Sequence, residues 1–506
     1  MKSPTYLSKT KIMAGMQCPK NLFLQVYNKK LASPITAAEQ MVFDQGNLVG
    51  ELAQKKFTKK TALVNKKFWD FEGALKQTEE FIFQGKENIF EASFTYKGIF
   101  ARVDILQKVE GDNDLWNLIE VKSGTKVKDE NIKDVALQLW ILENLDYKIQ
   151  NCYLMHINNQ CVFPDMSDFF HKEDITLKAK EVKNEVANSI LELKQIVDNQ
   201  KEPDIDIGPH CNTPYECKFK SYCGKHLPKD SVFLLPSMEE YDFKEDEWKK
   251  KLWGFYKQNI FKIKDIPVNK LTPRQQIAQK VHTQDKSYID KNGIALDLKK
   301  LKQPFHYLSF NIINPAIPFW EGVRPYEQII FQYSICMQKN FDSDLVYKNY
   351  LHDNNKDPRL ALAEKLVKDA GDEGSVVCYH KAFDGHKIKS LAKLYPHLQK
   401  PLLNIVSRLV DPLLIFKKHV YLKSFGAQIN IKFIATALFG KELGFDNLNI
   451  KDEALVQMAY KNLIKEFDNK NFETNKDKIT QDLLEYGKQD VYILAKLTKW
   501  LCENTV

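Results

Sequence analysis

Cys18 stands alone in SKTKIMAGMQCP near the start of the chain, and Cys211, Cys217 and Cys223 follow far downstream in HCNTPYECKFKSYC. Thiolates are soft ligands that suit both iron-sulfur clusters and Zn²⁺, and a set of four cysteines serves either. A zinc ribbon commonly pairs its ligands as two C-x2-C knuckles, whereas here one isolated cysteine answers a spaced C-x5-C-x5-C. Either group would tie the first helix to a distant loop and remove a large closure entropy from the unfolded chain. A fold for this chain must therefore bring its N-terminal segment back to residues 211–223. Cys152, Cys161, Cys336, Cys378 and Cys502 lie in mostly apolar surroundings, which suits reduced, buried thiols rather than a disulfide scaffold.

At 506 residues the chain exceeds the size at which one hydrophobic core keeps growing, so two or three domains are expected. Apolar residues at 43% and aromatics at 12% are globular values. No stretch approaches the roughly 18 unbroken apolar residues of a membrane span, and MKSPTYLSKTK lacks the apolar core of a secretory signal. The expectation is a cytoplasmic protein without a membrane partner. The net charge of +8 rests on lysine, because only Arg102, Arg274, Arg324, Arg359 and Arg408 are arginine among 74 basic residues. A basic balance permits nucleic-acid binding, and the same usage also fits an AT-rich genome.

Residues 1–225 read as an α/β domain: helices around 36–57 and 68–87, strand-like runs FTYKGIFARVDILQKV and LWNLIEVKSG, then a helix from about Glu130 to Leu145. Val182, Val186, Ile190, Leu193 and Val197 recur at three- and four-residue steps and predict a long helix over 174–198. Residues 226–300 are charged, Pro-punctuated and helical, a connector. In its WKKKLWGFYKQNIFKIK, aromatics interleave with lysines as in a groove that tracks a nucleic-acid strand, yet Trp248, Leu252 and Phe255 equally mark a buried helical stripe. A second α/β pattern occupies 301–506.

Strand side chains alternate, so Arg102 and Asp104 in GIFARVDIL share one face, and so do Glu120 and Lys122 in LIEVKSG. Two carboxylates at a strand end can hold one or two Mg²⁺ or Mn²⁺ ions, which activate water and neutralise charge on a scissile phosphate. Lys122 adds a compact positive charge beside that phosphate and can orient or help deprotonate the water. Taken alone, D…ExK also fits a solvated strand edge.

This pattern resembles the PD-(D/E)XK nuclease superfamily, with Asp104, Glu120 and Lys122 as its signature and Gln138 in DVALQLWIL as the glutamine on the following helix. The RecB-like branch carries QxxxY, and here the last position is Leu142. RecB-like enzymes and CRISPR-adaptation nucleases also tend to carry a metal-binding His on an early helix; GNLVGELA offers none, leaving Glu51 or Glu91 as substitutes. The setting of Cys18 and the later cysteine triplet resembles the 4Fe-4S members of that group, which implies a structural 4Fe-4S cluster on Cys18, Cys211, Cys217 and Cys223, with Zn²⁺ as the alternative.

The C-terminal part resembles the DnaQ-like, DEDD-type exonucleases of RNase H-like fold. Tyr486 and Asp490 in EYGKQD match the last motif, and Asp384 in HKAFD fits the middle one. In the first motif FHYLSFNII places Ser309 and Asn311 where that family has carboxylates. Neutral side chains at half the site cannot balance two divalent ions, so the resemblance implies a degenerate exonuclease domain retained for scaffolding or nucleic-acid binding. The whole order, with NPAIPFWEGVRPYEQIIFQYS, is similar to a family of bacterial proteins fusing both modules.

The expected architecture is α/β multidomain: a PD-(D/E)XK nuclease-like domain with a four-cysteine cluster at 1–225, a helical connector at 226–300 and a DnaQ-like domain at 301–506. The expected activity is a metal-dependent DNA nuclease acting on ends or single strands, in repair, recombination or defence, with DNA preferred to RNA as partner. A catalytically inactive nucleic-acid-binding or assembly protein and a zinc-stabilised interaction protein are the alternatives. No Walker-type phosphate loop is present, so ATP-driven unwinding would have to come from a helicase partner.

Overall fold

Ser8 closes a two-residue strand, β1 (Leu7–Ser8), and caps helix α1 (Lys9–Gln17), its hydroxyl accepting from the Lys11 amide at 3.4 Å. Pro19, with its φ preset for a first turn, starts α2 (Pro19–Tyr27), so Cys18 sits in the corner between two helices. A capping box of Thr36 and Glu39 starts α3 (Ala37–Gln54), and β2 (Thr61–Leu63) and α4 (Phe71–Phe83) follow. This computed structural model describes residues 6–112, 114–236, 245–427, 430–465 and 473–505.

The run FTYKGIFARVDILQKV is not one strand. Lys97 and Gly98 take φ of 49° and 79°, the geometry of a tight hairpin turn, and separate β3 (Asn88–Tyr96) from β4 (Ile99–Lys108). Then come β5 (Leu115–Lys122), α5 (Asp129–Glu143), β6 (Lys148–Ile157), β7 (Phe170–Asp174), α6 (Thr176–Asp198) and the short α7 (Lys220–Cys223).

These strands form a mixed sheet in the order β2-β3-β4-β5-β6-β7, with β1 added parallel to β4. β3, β4 and β5 are antiparallel neighbours, while β5 and β6 run parallel with α5 as the crossover between them. One face buries Leu118, Cys152 and Leu154 under Val135 and Leu139 of α5, Ile190 of α6 and Ile12 of α1. The other packs Ile119 and Met155 against Ala53 of α3. A Cβ on Gly15 would stand 2.9 Å from Leu193 Cδ1, so the glycine lets α1 approach α6 closely. These elements belong to one compact unit, Met1–His226, which also includes Pro315–Glu327. That stretch exchanges backbone hydrogen bonds with Phe163 and buries Ala316 beside Val49, Ile157 and Phe169.

The second unit comprises Leu227–Asn314 and Gln328–Val506. Its helices α8 (Glu245–Lys257) and α9 (Pro273–Gln284) bury Trp248, Leu252 and Phe255 with Ile263, Ile266 and Val281, so the aromatic-lysine stretch is a core stripe with a charged outer face. After β8 (Tyr288–Ile289) and α10 (Lys291–Leu298) come β9 (Phe305–Ile313), β10 (Ile329–Gln338), β11 (Val346–Leu351), α11 (Arg359–Ala370) and β12 (Ser375–Cys378). α12 (Lys381–Leu394), α13 (Gln399–Ser407), β13 (Leu409–Val410), α14 (Pro412–His419), β14 (Val420–Tyr421), α15 (Ile431–Phe439), α16 (Glu453–Lys465) and α17 (Glu473–Glu503) complete it.

Its sheet runs β11-β10-β9-β12-β13, antiparallel from β11 to β9 and parallel from β9 to β13, and β14 pairs with β8 in a separate ribbon. α17 crosses the sheet where Gly487 has no side chain; a Cβ there would lie 2.5 Å from Ser334 Oγ. The protein is thus α/β and multidomain, with mixed sheets. No helix among the described residues is long and apolar enough to cross a membrane. Cys152, Cys161, Cys336 and Cys378 are buried free thiols, while Cys502 is half-buried.

Candidate active site and cysteine site

Ile105 of β4 pairs with Ile119 of β5, so the neighbouring Asp104 and Glu120 project from adjacent strands to one face of the sheet. Asp104 Oδ2 accepts from the Val121 amide at 2.7 Å, which fixes its carboxylate to the next strand. Above them α5 presents Asp134 and Gln138, four residues apart and therefore on one helix face. Gln138 Nε2 donates to Glu120 Oε2 at 2.8 Å and to Asp134 Oδ1 at 3.1 Å. Lys122 Nζ reaches Glu120 Oε1 at 2.6 Å and Asp134 Oδ2 at 2.8 Å. The structure therefore brings Asp104, Glu120, Lys122 and Gln138 into one constellation, with Glu120 and Gln138 buried and Asp104 and Lys122 half-buried.

Lys9 and Asp134 complete it, and the sequence reading missed both. Lys9 is the first residue of α1, and helical side chains lean toward the N-terminus, so its ammonium projects past the helix start toward the sheet that β1 joins. Its Nζ lies 2.9 Å from Glu120 Oε1 and 2.9 Å from Asp134 Oδ1. A cation at a helix N-terminus opposes the macrodipole, a cost accepted here for two buried ion pairs. Asp134 had a local signal, the i, i+4 spacing to Gln138; Lys9 had none, being joined to Glu120 only by the fold.

Burial alone would depress Lys9, but the charges of Asp134 and Glu120 outweigh it and hold the amine protonated. Lys122 is likewise held well above its ordinary value by Glu120 and Asp134 against the effect of burial. Asp134 is driven below the carboxylate range because Lys9 and Lys122 overcome its desolvation. Asp104 goes the other way: burial, then the charge of Glu120, push it up to about 8. Glu91, in the middle of β3, has φ of 56°, a left-handed conformation that is strained for glutamate in a strand. Burial raises its carboxyl too, and the charge of Glu120 adds to the effect. Glu51, the other candidate substitute, is solvent-exposed.

These groups fit a divalent cation. Asp104, Glu120 and Glu91 are hard oxygen donors whose mutual repulsion a bound ion would relieve. Gln138 Oε1 is buried with no hydrogen-bond partner, an acceptor in want of a donor such as metal-bound water. Beside the constellation, Tyr326 donates to the Ser123 carbonyl and accepts from Gln45 Nε2 at 2.9 Å, bracing the chain just after Lys122.

The structure also gathers the four ligand cysteines of the sequence reading. Cys18 lies between α1 and α2, and Gln17 Nε2 binds the carbonyls of His210 and Tyr215, each at 2.7 Å, drawing the later loop against it. Cys217 N donates to Cys211 O at 2.8 Å, and Phe219 packs under the loop against Phe23 and Leu24. Burial pushes the Cys217 thiol up to about 11, and the nearby Cys211, Cys18 and Cys223 add to the rise. Cys211, Cys217 and Cys223, each raised by burial and by its cysteine neighbours, suit together with Cys18 a shared metal centre, which would stabilise their thiolates. Among the described residues no three of their sulfurs lie within 4.8 Å of one another.

In the second unit, Ser309 Oγ donates to Asp490 Oδ2 at 3.1 Å, and Asn311 Nδ2 donates to Gln332 Oε1 at 2.9 Å. Burial pushes Asp490 up to about 7 against the pull of Lys432. Asp384 is also raised by burial, with Asp411 and Asp490 adding repulsion. Tyr486 accepts from Lys432 Nζ at 3.1 Å and donates to Glu453 at 3.3 Å. Thus Ser309, Asp384 and Asp490 adjoin one another, while Asn311 is engaged by Gln332 instead.

The family described as "Domain of unknown function (DUF2779)" matches residues 306–429. A curated relative, "Uncharacterized protein MG366 homolog" of Mycoplasma pneumoniae, is 23% identical over 238 residues, 42% of this chain; the chain spans only 36% of that protein's length. Among solved structures, the "Crystal structure of SSO0001" is similar over 45% of this chain and 90% of that one, at 15% identity and a TM-score of 0.24.

Proposed function

We propose that the first unit is a Mg²⁺- or Mn²⁺-dependent deoxyribonuclease acting on DNA ends or single strands, in repair, recombination or defence. The observation that carries this reading is the meeting of Asp104, Glu120, Lys122 and Gln138 across β4, β5 and α5. Asp104 and Glu120, with Glu91 beside them, would hold the ion, which would supply Lewis-acid charge for water activation and for the scissile phosphate. Lys122, kept as an ammonium, offsets phosphate charge rather than acting as a base. Gln138 holds Glu120 Oε2, and the Val121 amide holds Asp104, so both carboxylates are oriented before substrate arrives. Cys18, Cys211, Cys217 and Cys223 would carry a structural 4Fe-4S cluster. Ser309 and Asn311, which bring no negative charge to a cation and are engaged by Asp490 and Gln332, support a scaffolding role for the second unit.

The test is cleavage of linear, circular and single-stranded DNA by anaerobically purified protein. Cleavage of linear or single-stranded DNA with Mg²⁺ or Mn²⁺ is expected, with loss of about 10²-fold or more in Lys122→Ala and Asp104→Ala at unchanged iron and sulfide content. Unchanged cleavage by both variants would refute the assignment. Tight, salt-sensitive binding without metal-dependent cleavage would select the scaffold reading instead, and zinc in place of iron and sulfide would replace the cluster.

A further inference from the structure

β6 and β7 pair antiparallel at one edge of the first unit's sheet, with His156 opposite His171 and Leu154 opposite Glu173. His171 and Glu173 are two residues apart on one strand, so all three side chains share a face. One ring nitrogen of each histidine and one carboxylate oxygen of Glu173 lie within 4.8 Å of one another. His156 is buried, Glu173 half-buried and His171 exposed, so the group is rooted in the sheet and open on one side. Backbone hydrogen bonds of the ladder fix the three Cα positions, leaving only side-chain rotation to close the set.

His156 Nδ1 is 3.2 Å from the Ile157 carbonyl, which can only accept. Nδ1 therefore carries the proton and Nε2 keeps the lone pair that a metal needs, the arrangement in which ligand histidines are commonly held. Glu173 Oε1 is paired with Lys178 at 2.9 Å; both side chains reach solvent, and such pairs contribute little and yield readily to a divalent ion. Elsewhere, His419 is already enclosed by Asp290 and Asp297, at 3.0 and 2.9 Å.

We propose that His156, His171 and Glu173 form a binding site for a divalent transition metal, Zn²⁺ by the chemistry of its donors. Two imidazoles and one carboxylate are a three-ligand set for zinc, with bonds of about 2.0–2.2 Å and a fourth position left to water or a ligand. The ion clasps edge strand β7 to β6. Because Lys122 of β5 pairs with His156 of β6, the site lies one strand from Lys122 on the same face. It uses none of the residues of the proposed nuclease centre and stands or falls without it.

The experiment is a Zn²⁺ titration of the chelator-stripped full chain, with bound metal counted, for the unaltered protein, His171→Ala, Glu173→Gln and Asp104→Asn. His171 and Glu173 are not buried, so their variants should keep the native circular dichroism. The expected result is one Zn²⁺ equivalent fewer in His171→Ala, at least tenfold weaker binding of that equivalent in Glu173→Gln, and no change of it in Asp104→Asn. The same stoichiometry and affinity in His171→Ala as in the unaltered protein would overturn the proposal. So would loss of the equivalent in Asp104→Asn alone, which would place the ion at the other carboxylates.

Discussion

The two units each place acidic side chains between a sheet and a helix, but they manage that charge in opposite ways. Around Glu120 and Asp134, two lysines bridge two carboxylates in a closed ionic set, with Asp104 beside it pushed up to about 8. Around Asp490 the Ser309 hydroxyl donates to the carboxyl group, and burial raises Asp490 and Asp384 toward neutrality. In the first arrangement Lys9 and Lys122 are held protonated and hold Asp134 ionised, with Asp104 raised beside them. In the second, burial outweighs the pull of Lys432 on Asp490 and favours the protonated form of both acids. The contrast shows that the electrostatic balance at such a cluster rests on a few charged side chains.

The largest effect that would sharpen this contrast concerns the cysteines, which only the first unit gathers. With the proposed cluster on Cys18, Cys211, Cys217 and Cys223, Cys18→Ser or Cys217→Ser would remove one ligand from a clasp closing a very long loop and is expected to unfold that unit while the second remains folded. Limited proteolysis followed by mass analysis reads this directly: fragments from 1–226 should vanish first, and equal digestion of both units would break the comparison.

A smaller effect is expected from Lys9→Met. It leaves Glu120 and Asp134 with Lys122 as their remaining lysine bridge, an uncompensated buried charge that costs about 3–5 kcal/mol. The urea midpoint should fall accordingly and recover in part on adding Mn²⁺, which can take the place of the missing cation. Stability unchanged from the unaltered protein would mean that the ionic set is not the balanced unit described above.

Lys9 also marks where the sequence stopped being legible. The alternation of β4 and β5 places Arg102 with Asp104 and Glu120 with Lys122 on common faces, because that relation is local, whereas Gln138 comes from the resemblance to PD-(D/E)XK nucleases. Lys9 meets Glu120 only through the pairing of β1 with β4, a contact that no period of two or 3.6 encodes. Glu91 is one of two candidate substitutes for an early-helix histidine, and the fold separates them, because Glu91 adjoins Glu120 while Glu51 is exposed. The membership of Pro315–Glu327 in the first unit has no compositional signature, since the segment is defined by what it packs against. Trp248, Leu252 and Phe255 show the reverse case, where two readings of one periodic stretch were open and burial chose the core stripe.

Ser309→Asp attacks the other side of the comparison. It sets a second carboxylate where Ser309 Oγ now donates to Asp490 at 3.1 Å, and a destabilisation of about 1–3 kcal/mol is expected, seen as a lower thermal midpoint. The double variant Ser309→Asp, Asn311→Glu should regain that loss on adding Mn²⁺, through a site that the unaltered unit lacks. If Mn²⁺ gives the double variant no more than the increase it gives the unaltered protein, the two carboxylates have not created a metal site in the second unit.

The smallest effect, and the one most specific to the interior character of the second site, is the pH dependence carried by Asp490. Its folded-state value of about 7 lies above the ordinary aspartate value near 4. Below pH 4 both the folded and unfolded forms hold the proton and Asp490 contributes its full stability. Between about 4 and 7 the unfolded chain releases the proton while the folded chain retains it, so that contribution is lost progressively as pH rises, and above 7 the loss is complete. Asp490→Asn keeps an oxygen to accept from Ser309 and removes the titration. Its thermal midpoint should therefore match that of the unaltered protein at pH 4 and exceed it at pH 8, by about 2–4 °C for each kcal/mol restored in a domain of this size. A difference that does not change between those pH values would mean that Asp490 stays ionised in the fold, and that the second site still holds charge as the first does.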